Sequence, residues 1–68
     1  MNIACTDETA VTAVRAALLN HRVTQVRQQG PNLNGPTTWV MVDTAIGDDK
    51  ERALRREIAQ IAGAAIRS

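Results

Sequence analysis

Cys5 and His21 are the candidates for a nucleophile and its base, and a catalytic pair would need them within hydrogen-bond reach. His21 falls beside a Val14–Leu18 stripe, near the C-terminus of the helix that the spacing predicts, where the helix dipole favours an imidazolium. It reads as a boundary histidine. Cys5 reads as a small buried hydrophobe rather than a reactive thiolate. Asp43, Asp48 and Asp49 are close in sequence, but the run lacks the glycine and terminal glutamate of a calcium loop. Asp48 and Asp49 read instead as helix-capping residues. One Cys and one His are too few ligands for zinc. No catalytic residue, metal or cofactor is expected, and the chain reads as a non-enzyme.

Binding chemistry is better represented. Trp39-Val40-Met41-Val42 is apolar at four consecutive positions, so a strand there sends Trp39 and Met41 to one face and Val40 and Val42 to the other. A small antiparallel sheet ordinarily buries one face and wets the other. Both sides of this strand therefore ask for cover: a helix on each face, a second copy, or a partner. If helices cover Val40 and Val42, Trp39 and Met41 remain on an open face, with Leu33 at the neighbouring loop tip and Arg27 and Asn34 at the rim. If they cover the other face, Trp39 and Met41 form the core; parity along the strand leaves both arrangements open.

Arginine supplies a second binding class. Of the eight basic residues seven are Arg, yet the net charge is only +1 and no block of like charge occurs, so the domain is not strongly basic. Arg52, Arg56 and Arg67 share the outer face of a last helix that the periodicity carries to the C-terminus, and Arg22 and Arg27 lie on or beside the first hairpin strand. An RNA or DNA interface would use Arg22, Arg27, Arg52 and Arg56. Asp48 and Glu51 partly neutralise that face, and stacking aromatics are missing apart from Trp39.

The elements that would position these residues follow from periodicity and punctuation. Ile3-Ala4-Cys5 is a short strand or an ordered arm. Thr6 or Asp7 caps a helix running to His21, with Val11, Val14 and Leu18 on its apolar stripe. Arg22 to Gln28 reads as a strand, Gly30-Pro31-Asn32-Leu33-Asn34-Gly35-Pro36 as a long hairpin connection, and Thr37 to Asp43 as the second strand. The last helix starts at Gly47 or Asp48. Leu54, Ile58, Ile61, Ala62 and Ala65 form its core stripe, and Asp48–Arg52 and Glu51–Arg55 are spaced as i, i+4 pairs. The fold class is α+β: one small (β)αββα domain over residues 1–68, two helices packed on a short antiparallel sheet.

With its first strand, this order resembles an open-faced sandwich of the ferredoxin-like or amino-acid-sensing regulatory type, lacking a final strand. Without it, the order resembles the helix–hairpin–helix plan of small phage head–tail joining proteins. The run Gly30-Pro31-Asn32-Leu33-Asn34 is similar to one near the start of type II dehydroquinases. That family needs a catalytic tyrosine and a longer, doubly wound fold, and this chain has no tyrosine. The run reads as a turn.

Size points the same way as the tryptophan. Eleven of the thirty hydrophobic residues are alanine, and Phe and Tyr are absent. A core of that kind supplies only about 3–5 kcal/mol unless reinforced. With a lone Cys there is no disulfide, so oligomerisation or partner binding is the expected reinforcement. Neither a secretion signal nor a run long enough for a membrane span is recognisable, so the expected location is cytoplasmic and the expected partner is another protein or a second copy, as in a homodimer. Chains of this size often act as regulators, adaptors or inhibitors, including phage-borne ones; nucleic acid is the second choice and a membrane is not expected.

Overall fold

The structure is a computed structural model and describes residues 1–32 and 35–67. The order is β1 (Asn2–Cys5), α1 (Glu8–Asn20), β2 (Val26–Gln29), β3 (Thr38–Val42), α2 (Asp48–Ala59) and β4 (Ala64–Ile66). The strands form one antiparallel sheet in the order β2-β3-β1-β4. This is the split βαβ, ferredoxin-like arrangement, in which each half contributes one central and one edge strand. The expected α+β domain of two helices on a short antiparallel sheet is the one observed, and it has a closing strand as well.

Register decides the faces. Ile3 sits opposite Val40 and Cys5 opposite Thr38, and these residues, with Val42, are buried against the helices. The α1 stripe of Ala10, Val11, Val14, Ala17 and Leu18 and the α2 residues Leu54 and Ile58 close over them. Asp7 starts α1, its Oδ1 accepting from the Ala10 N–H at 2.8 Å. At the other end the Val23 N–H donates to the Leu18 carbonyl and the Arg22 N–H to that of Leu19, both at 2.9 Å. This is the Schellman pattern, with Arg22 at φ 60° in the left-handed position that glycine usually fills. The strand predicted from Arg22 therefore begins only at Val26, because residues 21–23 serve the helix cap.

Three further expectations are corrected. The last helix stops at Ala59, so Ile61, Ala62 and Ala65 are not helical and Arg67 shares no helix face with Arg52 and Arg56. Alanine-rich composition favours helix locally, but Gly63 at φ 84° turns the chain and Ala64–Ile66 gains a ladder on β1. A Cβ at Gly63 would lie 2.6 Å from Thr6 Oγ1, so this close approach also demands glycine. Asp48 makes no cap: Gly47 is the N-cap and has no side-chain bond, and Asp48, Asp49 and Glu51 instead load the first turn with negative charge at the positive end of the dipole. Finally, Arg52 pairs with Asp49 (3.7 Å) rather than Asp48, whereas Arg55–Glu51 forms as expected at 3.8 Å.

Candidate binding surface

Because both helices pack on the Val40 and Val42 side, the opposite sheet face has no element over it among the described residues. Two rows cross that face. One is Gln29, Trp39, Ala4 and Ala65; the other begins Arg27, Met41 and Asn2. Arg67 continues the second row, its N–H donating to the Asn2 carbonyl at 2.8 Å. Trp39 and Met41 are half-buried by their neighbours on the sheet, and Ala4 and Ala65 keep the ground beside the indole low. An apolar centre thus lies between arginines on the two sheet edges. Arg27 Nε donates to Asp43 Oδ2 at 2.5 Å, which holds that guanidinium at the rim.

Trp39, Met41 and Arg27 are therefore brought onto one face. Leu33 and Asn34 lie outside the described residues. The flanking Asn2, Ala4, Gln29 and Ala65 escaped the sequence reading, because their membership depends on register and on the unforeseen fourth strand. The arginines do not converge: Arg27 is on the open sheet face, Arg52 and Arg56 are on α2 in the opposite layer, and Arg22 is in the turn after α1.

The possible catalytic groups stay apart in role. Cys5 is fully buried on the helix-covered side, and loss of hydration there, assisted by the nearby Asp7 carboxylate, raises its pKa. His21 caps α1 and its Nε2 meets Glu57 Oε2 at 2.7 Å, tying the end of α1 to α2. Among the described residues no three His, Cys, Asp or Glu side chains gather as a metal site. A hollow of about 450 Å³ lies between the start of α1 and the hairpin, around Val11, Pro31, Pro36 and Thr38. It holds Asp7 and Glu8 with the hydroxyls of Thr12 and Thr38 but neither Cys nor His, and Asp7 is already engaged as the cap.

A second surface lies at the β2 edge. A groove of about 100 Å³ runs between α1 and β2, lined by Arg15, Leu18, Leu19, Val23, Thr24 and Val26. Leu19 is 65 % exposed, and is the large hydrophobic residue left in solvent among those described. The doublet Leu18-Leu19 was the available signal, since adjacent leucines on a helix cannot both face one core stripe.

Compared with known proteins, the chain matches no family model, no curated protein and no solved structure. No described helix is long and apolar enough to cross a membrane.

Proposed function

We propose that the chain is a non-enzymatic protein-binding module acting through the open sheet face, with Trp39 and Met41 as its centre and Arg27 at its rim, and that its first partner is a second copy. Support comes from the placement of both helices on one side, which leaves the lone aromatic residue on the uncovered side. Tryptophan is suited to such a role because it contributes much contact area for few lost rotamers. A two-fold contact would set the Trp39 rows of the two copies against each other, a self-complementary arrangement.

Area sets the expected strength. Four strands of roughly four residues cover about 250 Å² of sheet. A stable pair ordinarily buries about 800 Å² on each side. Even with the rim side chains, self-association through this face is weak and concentration-dependent, as befits a regulator or adaptor that exchanges partners.

Light-scattering mass over a concentration series, with Trp39 emission read on the same samples, tests this reading. A mass that rises together with a blue shift, both lost in Trp39→Ala, supports it. A constant monomer mass with an unchanging spectrum rejects the self-association. Oligonucleotide binding that falls steeply with salt and is lost in Arg52→Glu would transfer the function to nucleic acid.

A further inference from the structure

The sheet order leaves β2 as an edge, and the ladder tells which of its backbone groups are unused. The Met1 amino group donates to the Val42 carbonyl, and the Val42 N–H donates to the Met1 carbonyl, each at 2.8 Å. Val42 therefore turns both its groups toward β1. By alternation in an antiparallel ladder, Met41 and Trp39 turn theirs toward Arg27 and Gln29. The N–H and C=O of Gln28 and the C=O of Val26 then point off the sheet edge, while the Val26 N–H is taken by the Thr24 carbonyl at 3.0 Å. Val26 lines the groove with Leu18, Leu19 and Val23, and Gln28 follows it along the same edge, where it lines the neighbouring hollow.

We infer that this edge and groove form a docking site for an extended acidic–apolar peptide segment, added as a fifth strand beside β2. Main-chain bonds to Gln28 would supply the register, and the groove would take the alternate side chains, as in strand-addition recognition generally. Successive inward side chains of the added strand would lie beside Val26 and beside Gln28. The first meets the apolar floor. The second meets Arg15, whose Nη1 donates to the neutral Gln28 Oε1 at 3.3 Å.

Charge selects this occupant over a second copy. Neither Arg15 nor Arg22, the exposed neighbour of Val23, has a carboxylate partner among the described residues, and no acid lines the groove. Pairing β2 with its own copy would bring like-charged guanidinium groups together, which opposes association. The turn also holds an arginine in a left-handed conformation where glycine would cost less. A cation thus stands beside the groove at a position where glycine would suit the backbone better.

The test uses capped Thr/Ser peptides carrying valine and glutamate two positions apart, in both orders, with lysine-for-glutamate versions as controls. Backbone and methyl NMR shifts with amide exchange are the readout. The expected result is slowed exchange of the Gln28 N–H and shifted Leu19 and Val26 methyls with a glutamate peptide, no response to the lysine peptides, and reversal of that preference in Arg15→Glu. Gln28→Pro, tolerated where an N–H faces outward on an edge strand, should abolish binding while the remaining spectrum is kept. If that variant does not fold, the Arg15→Glu reversal carries the decision. No response to any peptide at millimolar concentration overturns the site. So do shifts confined to the Trp39 indole, which belong to the open sheet face, and a Gln28 N–H protected without peptide in proportion to protein concentration, which means self-pairing.

Discussion

Ala4 lies directly opposite Trp39 in the β1–β3 ladder, on the face turned away from both helices. The small side chain leaves one flank of the indole open, and Ala65 extends the low ground on the far side of Ala4. Replacing Ala4 by lysine sets a long charged side chain beside the indole. Ala4→Lys should change stability by no more than about 0.5 kcal/mol, the usual range for surface positions. It should nonetheless reduce the concentration-dependent mass increase at least as far as Trp39→Ala does. Thermal melts and light scattering on the same sample separate the two effects, and an unchanged mass profile would contradict the proposed face.

Leu54 and Ile58 are the only α2 residues that are fully buried, so they carry the apolar contact of that helix with the core. Leu54→Ala should cost about 2–5 kcal/mol through lost transfer energy and a residual cavity. A domain of this size has about 3–5 kcal/mol to lose, so the variant should be largely unfolded at 37 °C by circular dichroism. Ile61→Ala, at a half-buried position packed beside the core, should melt cooperatively and closer to the parent.

Gly63 carries two separable costs for any side chain. Gly63→Ala should lose about 1–2 kcal/mol from the left-handed backbone alone, and more from the Cβ contact with Thr6 Oγ1. Adding Thr6→Ala should return the larger steric part, leaving the backbone part and the 3.3 Å approach to the Ala10 Cβ. Denaturant midpoints of the two single variants and the double variant check this, because coupled neighbours give non-additive changes.

Arg22→Gly should stabilise the domain by about 1 kcal/mol, since glycine meets no Cβ penalty at the Schellman position. The same substitution should weaken the glutamate peptide at the β2 groove. Stability and affinity moving in opposite directions is the distinguishing result, read from melting and titration.

Cys5 makes stability fall in alkali. Above about pH 8.5 the thiol of an unfolded chain gives up its proton. The buried thiol, its pKa raised by desolvation, retains it. The native state then holds more protons than the unfolded state, and the free energy of unfolding decreases as pH rises. Urea titrations from pH 7 to pH 10 should show this slope, and Cys5→Ala should flatten it. A disulfide-exchange reagent should label Cys5 only as fast as the domain opens.

Much of the fold was legible because its signals were local. The Asp7 cap, the α1 stripe and the glycine–proline hairpin each rest on neighbouring residues. The last strand was not legible, since Ala64-Ala65-Ile66 favours helix by composition and becomes a strand only when β1 offers it a partner. The open face was half legible: alternation separated Trp39 and Met41 from Val40 and Val42, but helix packing decided which pair faced outward. The β2 groove needed three dimensions, because Arg15, Leu19 and Val26 meet only through the pairing of β2 with β3.

The first strand is flanked on both sides by the last two, with the Met1 amine on Val42 and the Arg67 N–H on the Asn2 carbonyl. During synthesis, β1 and α1 therefore leave the ribosome long before anything exists for the strand to pair with. Strands β2, β3 and β1 can pair as soon as residues 38–42 are available, and the outer edge of β1 stays open until residues 64–67 follow. Until then β1 presents a row of unpaired backbone groups, so the order in which the strands appear leaves a central strand acting for a time as an exposed edge.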